Sequence, residues 1–397
     1  MTTTADAGLF RRSADRALSW VRNRMMRHPD GSQGVWERVR IDKNEIQPWV
    51  RPDCCCEAAA AFVLRHEITG NRNDLETARN LLRYVLRRQT LRGGFPFYEW
   101  APSDVTLADP DKTGGSLVMW PNDNGKVLEI LSRLSPWFPD LPIEAAVRRH
   151  ADFLVATQRP EGFWEINGAT YPGTCFVAWP VCGLAAAYGI TGDPRHREAA
   201  LRAVAYMKAH QKPGGRMRTT YEFDQMENWR PASSESAEAL KAFAIAHRDL
   251  GEDCSAAAGG CAAFLLSLQH ESGAILNCDD SCKGASEQED GRLTDLVYTD
   301  GYALQALQLA AEVFGRPDLR IAATNLAEFL ADIQCSGEDP RWDGAWRGSY
   351  NVFSREWQGR ADQKNPLDEG GMWSVYTGWC VLPNVIGLYG ETGQTLW

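Results

Sequence analysis

The sequence predicts an all-α fold, an (α/α)6 barrel in which six helical hairpins close into a single toroid domain spanning residues 1–397. Three observations carry that prediction. A glycine-centred turn recurs six times, helices with one charged face alternate with helices that are apolar nearly all round, and nothing suggests a strand-rich second domain. The chain has 397 residues, 44 % hydrophobic and 24 % charged, which is enough to bury a sizeable core.

The turns are Gly34-Val35-Trp36-Glu37, Gly94-Phe95-Pro96-Phe97, Gly162-Phe163-Trp164-Glu165, Gly214-Gly215-Arg216-Met217, Gly273-Ala274-Ile275 and Gly344-Ala345-Trp346. Five are preceded by Gln33, Gln89, Gln158, Gln211 or Gln269, while Gln334 lies further ahead of the sixth, behind Asp339-Pro340-Arg341. The inserts differ in length, so the repeat has diverged from any fixed period.

One helical series falls at about 12–27, 74–89, 143–158, 195–210, 255–269 and 318–333. These helices carry charge on one face, as at Arg79, Arg83, Arg87 and Arg88, and form the outer ring. The other series falls at about 53–66, 123–134, 174–188, 233–248, 299–313 and 373–388, and its apolar character places it inside. Thr69-Gly70-Asn71, Thr191-Gly192-Asp193, Leu250-Gly251 and Phe314-Gly315 are stop signals with glycine as a left-handed cap. The polar segment 1–11 reads as a flexible start, and the last inner helix is expected to close the ring against the first outer one.

The 42 Lys and Arg against 52 Asp and Glu leave a net charge of -10 with no basic run, which disfavours nucleic acid and anionic membranes as partners. The longest apolar window, Cys175–Ile190, contains Pro180 and Gly183 and is shorter than the roughly 20 residues of a membrane helix. No export signal is visible, so a cytoplasmic location is expected. Eleven cysteines without a CxxC pair read as free thiols, and neither a metal nor a cofactor is expected.

Inner helices that all run the same way bring their N-termini to one mouth. The residues placed there are Arg51, Asp53 and Glu57; Trp120, Asp123 and Asn124; Tyr171 and Thr174; Trp229, Arg230, Ser234 and Glu235; Tyr298 and Asp300; Trp373 and Tyr376. The inserts add Glu99, Trp100, Trp164, Glu165, Tyr221, Glu222, Asp279, Asp280, Trp346, Arg347, Tyr350, Asn351 and Trp357. Carboxylates supply acids, bases and acceptors for sugar hydroxyls, and flat aromatic walls stack on sugar faces. Asp53, Asp123, Ser234 and Asp300 also suit helix capping.

On these residues the chain resembles the six-hairpin glycosidase-like toroids, which include glycoside hydrolases, polysaccharide lyases and sugar epimerases. The resemblance implies catalytic carboxylates at the inner-helix mouth. Through Trp120-Pro121-Asn122-Asp123-Asn124-Gly125 it points to Asp123 as acid or base. Thr174 and Cys175 stand where such enzymes carry a second aspartate, which weighs against the unsaturated-uronide mechanism. The histidine pair of the epimerases is not evident, so hydrolysis is favoured over epimerisation. A weaker resemblance is to squalene-cyclase and prenyltransferase toroids. It rests on the QxxxGxW motif in Gln158-Arg159-Pro160-Glu161-Gly162-Phe163-Trp164, but no DxDD proton donor is present.

The expectation is a carbohydrate-active enzyme, a glycoside hydrolase acting on an oligosaccharide or uronide. Asp123 delivers the proton, and Glu235 or Asp300 activates water, with Asp53 a further carboxylate in play. Trp120, Trp164, Trp229 and Trp373 supply sugar subsites, with Asn124, Arg51, Arg230, Tyr298, Trp346 and Tyr376 as further binding residues. The alternatives are a terpene-cyclase-like enzyme with aromatic walls that stabilise carbocations, and a non-catalytic glycan-binding toroid.

Overall fold

The computed structural model describes residues 4–100, 115–116, 119–166, 169–170, 173–219, 232–278, 290–337, 339–359 and 371–397. The outer helices are α1 (Thr4–Trp20), α3 (Arg72–Leu86), α5 (Ile143–Thr157), α7 (Pro194–His210), α9 (Ser255–Leu268) and α11 (Pro317–Ile333). The inner ones are α2 (Pro52–Thr69), α4 (Pro121–Leu134), α6 (Cys175–Thr191), α8 (Ala232–Leu250), α10 (Asp300–Val313) and α12 (Leu382–Gly390). Each inner helix packs on the next, and α12 returns to α2, so the ring is closed. At the seam α1 lies against α12, and the Tyr389 hydroxyl donates to Asp15 at 2.8 Å.

Local chemistry sets the helix ends. Proline occupies the first turn of α2, α4, α7 and α11, where its missing N–H costs nothing. Gly70 and Gly192 end α2 and α6 at φ 69° and 63°, and their N–H groups bond to the carbonyls of His66 and Tyr188. Outer α3 buries Ala78, Leu81, Leu82 and Val85 on one face, whereas inner α2 is buried without interruption from Pro52 to Leu64. Inner α4 and α6 approach closely because Gly125 and Gly183 face each other. A Cβ on either would fall inside 3.0 Å of the other helix's backbone.

The recurring glutamine is the tie between hairpins. The Nε2 of Gln89, Gln158, Gln211 and Gln269 donates both to the glycine carbonyl of its own turn and to an alanine carbonyl of the next outer helix, at 2.8–3.1 Å. Gln334 makes the same pair of bonds to Gly344 and Ser13, and so closes the ring onto α1. The turn glycines are pressed on that next helix. A Cβ on Gly93, Gly162, Gly215 or Gly273 would fall inside 3.0 Å of a carbonyl of Arg149, Arg202, Gly260 or Asn325.

Three expectations need correction. Residues 4–11 are not a flexible start: α1 begins at Thr4 and Phe10 is fully buried in the core. The last inner helix does not begin at 373, because Ser374–Tyr376 is a strand and a wide turn at Thr377–Val381 precedes α12. The inserts also build sheets that the pattern did not show. Strands β1 (Trp36–Arg40), β2 (Glu45–Val50), β3 (Tyr98–Trp100), β4 (Gly115–Ser116) and β10 (Ser374–Tyr376) form one sheet in the order β10-β1-β2-β3-β4. Strands β7 (Leu293–Asp295), β8 (Ser349–Asn351) and β9 (Glu356–Trp357) form another, and β5 (Glu165–Ile166) pairs with β6 (Ala169–Thr170). In β1 the consecutive residues Glu37, Arg38 and Val39 are all buried, so the alternation that would reveal a half-buried strand is missing.

Among the described residues no helix is long and apolar enough to cross a membrane. Replacing Gln269 by Leu keeps the volume but leaves two backbone carbonyls without their donor. Urea denaturation should show a loss of about 2 kcal/mol, and Gly273→Ala should cost at least as much.

Candidate active site

The site is built where α2 and α4, neighbours in the ring, begin. Arg51 and Trp120 precede the two helices in extended conformation, and Pro52 and Pro121 start them. Asp53 and Asp123 therefore both stand in a first turn, on adjacent helices at the same end of the barrel. Arg51 lies between them. One of its Nη atoms bonds Glu37 of β1 at 2.8 Å, while the other reaches Asp53 at 3.2 Å and Asp123 at 2.8 Å. The guanidinium also lies over Phe97, 4.5 Å from the ring centroid. Burial works against its charge, but Asp123, Asp53 and Glu37 together raise its pKa well above the ordinary arginine value.

Asp123 is buried, and its Oδ1 has no hydrogen-bond partner among the described residues. Burial pushes its carboxyl up to about 7. The nearby charge of Asp53 adds to the shift, and Arg51 and Lys126 oppose it. A carboxyl in that range is still largely protonated just below neutrality and can donate a proton.

Beneath the two aspartates lies a second layer. The Lys126 ammonium, one turn into α4, contacts the Tyr302 hydroxyl at 2.7 Å, Glu57 at 3.1 Å and Asp53 at 3.7 Å. It sits 3.1 Å from the centroid of the Trp379 ring. The Trp379 indole N–H donates to Asp53 Oδ2 at 2.6 Å, and its backbone N–H donates to Glu57 at 3.2 Å. Trp379 holds φ 61° and ψ −17°, a left-handed conformation that costs an L-residue about 1–2 kcal/mol. Tyr298, Tyr302 and Trp179 surround this indole edge-on, with centroids at 5.7, 5.6 and 6.3 Å.

Of the residues expected at the mouth, Arg51, Asp53, Glu57, Asp123, Trp120 and Tyr298 belong to this centre or its aromatic surround. Trp120 stacks on Phe176 at 5.7 Å and lies 5.9 Å from Phe97. Trp373 is half exposed beside the β10 edge, and the Tyr376 hydroxyl accepts from Arg38 at 2.5 Å. Trp229 and Arg230 lie outside the described residues, as do Tyr171, Tyr221, Glu222, Asp279 and Asp280; the side chains of Glu99 and Trp100 do as well.

Five expected site residues serve the scaffold. Trp164 and Trp346 are fully buried, and their indole N–H groups donate to Leu154 and Leu330 carbonyls in the preceding outer helices, so neither offers a face to a ligand. Asn124 clamps both the N–H and the carbonyl of Phe95 and also faces His150. Asp300 is the matching latch three hairpins later. It accepts the Thr294 hydroxyl at 2.9 Å and the Ile275 N–H, and burial pushes its carboxyl well above the ordinary range. Glu235 accepts the N–H of Cys175 at 2.6 Å, which caps α6 from the neighbouring helix.

Sequence reasoning passed over Lys126, Glu37, Tyr302 and Trp379. Lys126 carried the available signal, since an ammonium in a helix otherwise buried on every side must be paired. All seven histidines are described, and none lies in the first turn of an inner helix. His150, the one that touches Asn124, is pushed down to about 3 by burial. Cys175, Glu235 and Glu238 converge closely enough to hold a cation, as do Asp152, Asp193 and His196 outside the ring. The second group is already bound by Arg195, which reaches both of its aspartates.

No protein-family model matches the sequence, and no curated protein does. Solved structures match it along nearly the whole chain. The chain is similar to a D-mannose isomerase, with 11% identity, a TM-score of 0.70 and 99% of each chain covered. It is similar to cellobiose 2-epimerase from Spirochaeta thermophila DSM 6192, with 15% identity, a TM-score of 0.67 and 98% and 99% of the two chains covered. It is also similar to the GH76A alpha-1,6-mannanase from Salegentibacter sp. HEL1_6, with 11% identity, a TM-score of 0.59 and 96% and 98% covered. The fold is the (α/α)6 toroid that these solved structures share.

Two predictions follow from the placement of these side chains. Trp164→Phe, which loses the bond to Leu154, should lower stability by about 1–2 kcal/mol in denaturant titration and leave ligand affinity unchanged. Asp123 holds its proton more tightly when folded than when unfolded. The folded state therefore carries the extra proton between the ordinary carboxylate pKa and about 7, and stability falls as pH rises through that window. Thermal melts of wild type against Asp123→Asn should show the wild type losing ground on the order of a few kcal/mol from pH 4 to 7.

Proposed function

We propose that this chain is a carbohydrate-active enzyme that hydrolyses a glycosidic bond, with Asp123 as general acid and Asp53 as general base. The observation that carries the reading is the pair of first-turn carboxylates on one buried arginine, of which Asp123 is held protonated into the neutral range. Asp123 gives its proton to the leaving oxygen, and Asp53 accepts a proton from the attacking water. Asp53 takes the role expected of Glu235 or Asp300, because those two are engaged as helix cap and turn latch.

The floor favours sugar over a carbocation cascade, since it holds two carboxylates, a lysine and an arginine. The absence of histidine from the first turns of the inner helices favours hydrolysis over epimerisation by a histidine pair. The Arg51 Nη groups are held by three carboxylates, so the guanidinium is not offered to a uronate, and the substrate is a neutral oligosaccharide. Trp120 and Phe97 provide aromatic surface beside Arg51.

The test is release of reducing ends from neutral and acidic oligosaccharides, chosen by thermal shift, since a ligand of the folded state raises the melting midpoint. Asp123→Asn should lower kcat by about 10²–10⁴-fold while the protein still melts cooperatively, and full activity in that variant sinks the assignment. Wild-type kcat/KM should fall as pH rises through about 7, where Asp123 gives up its proton.

A further inference from the structure

We infer that Lys126 is a positioning residue for Asp53, acting through the Trp379 indole from the buried side of the site. The inference rests on the reading of Asp53 as the base and adds a residue behind it.

Three non-glycine residues among those described have positive φ: Asn44, Arg355 and Trp379. Asn44 and Arg355 are exposed in turns, where water and neighbouring chain set few constraints. Trp379 is buried, so its left-handed backbone persists only because surrounding groups over-determine it, and such residues gather at functional sites. The groups that do so form one cluster. Glu57 takes the Trp379 backbone N–H, and Lys126 lies against the ring face and pairs with the same Glu57. Tyr302 donates to Glu57 at 2.8 Å and meets the indole edge-on. What this arrangement delivers is the indole N–H, aimed at Asp53 Oδ2 at 2.6 Å.

Asp53 is thus faced by Arg51 just before its helix, by Cys54 and Cys56 on α2, by Asp123 and Lys126 from α4, by Tyr302 from α10 and by Trp379 from the turn before α12. Arg51 is shared with two other carboxylates. Lys126 is the second cation near Asp53, and it works in two ways. Its charge, 3.7 Å from Asp53, favours the ionised carboxylate directly. Its seat under the indole keeps the N–H donor on the oxygen that must stay charged to accept a proton from water. An ammonium beneath an aromatic face, fully cut off from water, is where such a contact is strongest.

Two variants and two readouts test this. Lys126→Met removes the cation at similar length, and Trp379→Phe keeps a ring over Lys126 but removes the N–H. Each should move the acid limb of kcat/KM upward, by at least one pH unit for Lys126→Met. In both variants kcat should fall tenfold or more and KM should stay within threefold. A merely structural role would lower the folded fraction and leave the limb in place. If both variants keep the wild-type limb, the inference is overturned. The substrate-free readout is the ¹³C titration of the Asp53 carboxyl, assigned with Asp53→Asn. Its midpoint should rise in Lys126→Met, or in Trp379→Phe if the first variant does not fold, and an unmoved midpoint overturns the inference. A wild type inactive on every saccharide sinks the hydrolase reading instead, and the Asp53 titration then decides the role of Lys126 separately.

Discussion

A glutamine side-chain amide has two N–H donors, and in this protein both are spent on backbone carbonyls of different elements. One lies in the turn that follows the glutamine's own helix, and the other lies in the next outer helix. Five repetitions set the offset between hairpins, and the last of them, from Gln334 to Ser13, closes the ring. With the offset set, all inner helices begin at one end, and the first turns of α2 and α4 meet. The glycines are the complement of the amide. At Gly162 and Gly273 the turn touches the neighbouring helix so closely that a methyl group has no room.

The second constraint is electrostatic. Ionised groups in a protein interior lose hydration that a partner must replace, and a pair survives there only when geometry and further hydrogen bonds are good. At the barrel mouth Glu37, Asp53, Asp123 and Glu57 share the charges of Arg51 and Lys126. Burial, helped by the charge of Asp53, raises the Asp123 pKa to about 7, so this carboxyl keeps a proton toward neutrality. The acid is thus a consequence of burial first and of the neighbouring carboxylate second. The lower half of the barrel carries a more balanced set, in which Lys241 and Arg133 both reach Glu129 and both lie over the ring of Trp397.

Much of the scaffold was legible because helical periodicity, stop glycines and the glutamine–glycine spacing are local signals. The expected inner helix at 299–313 is observed at Asp300–Val313, and the outer helix at 195–210 is observed at Pro194–His210. The sheets were not legible, since β3 and β8 are three residues long and β1 is buried on consecutive positions. In the site, Asp53 and Asp123 could be found because they sit at predictable helix starts. The same rule also picked Asp300, whose first-turn position serves a latch. Trp164, picked from an insert, spends its indole on its own outer helix.

By itself the sequence determined the helix pattern, the hairpin count, the shared polarity of the inner helices and the two aspartates at adjacent helix starts. These depend on residue type and on spacing within a turn or a hairpin. The tertiary structure alone decided which carboxylates converge on Arg51, that Lys126 is buried under an indole, and that Trp379 takes a left-handed backbone. Those facts depend on side chains brought together from residues 37, 57, 126, 302 and 379. Their charge states follow from shared desolvation, which no local pattern encodes.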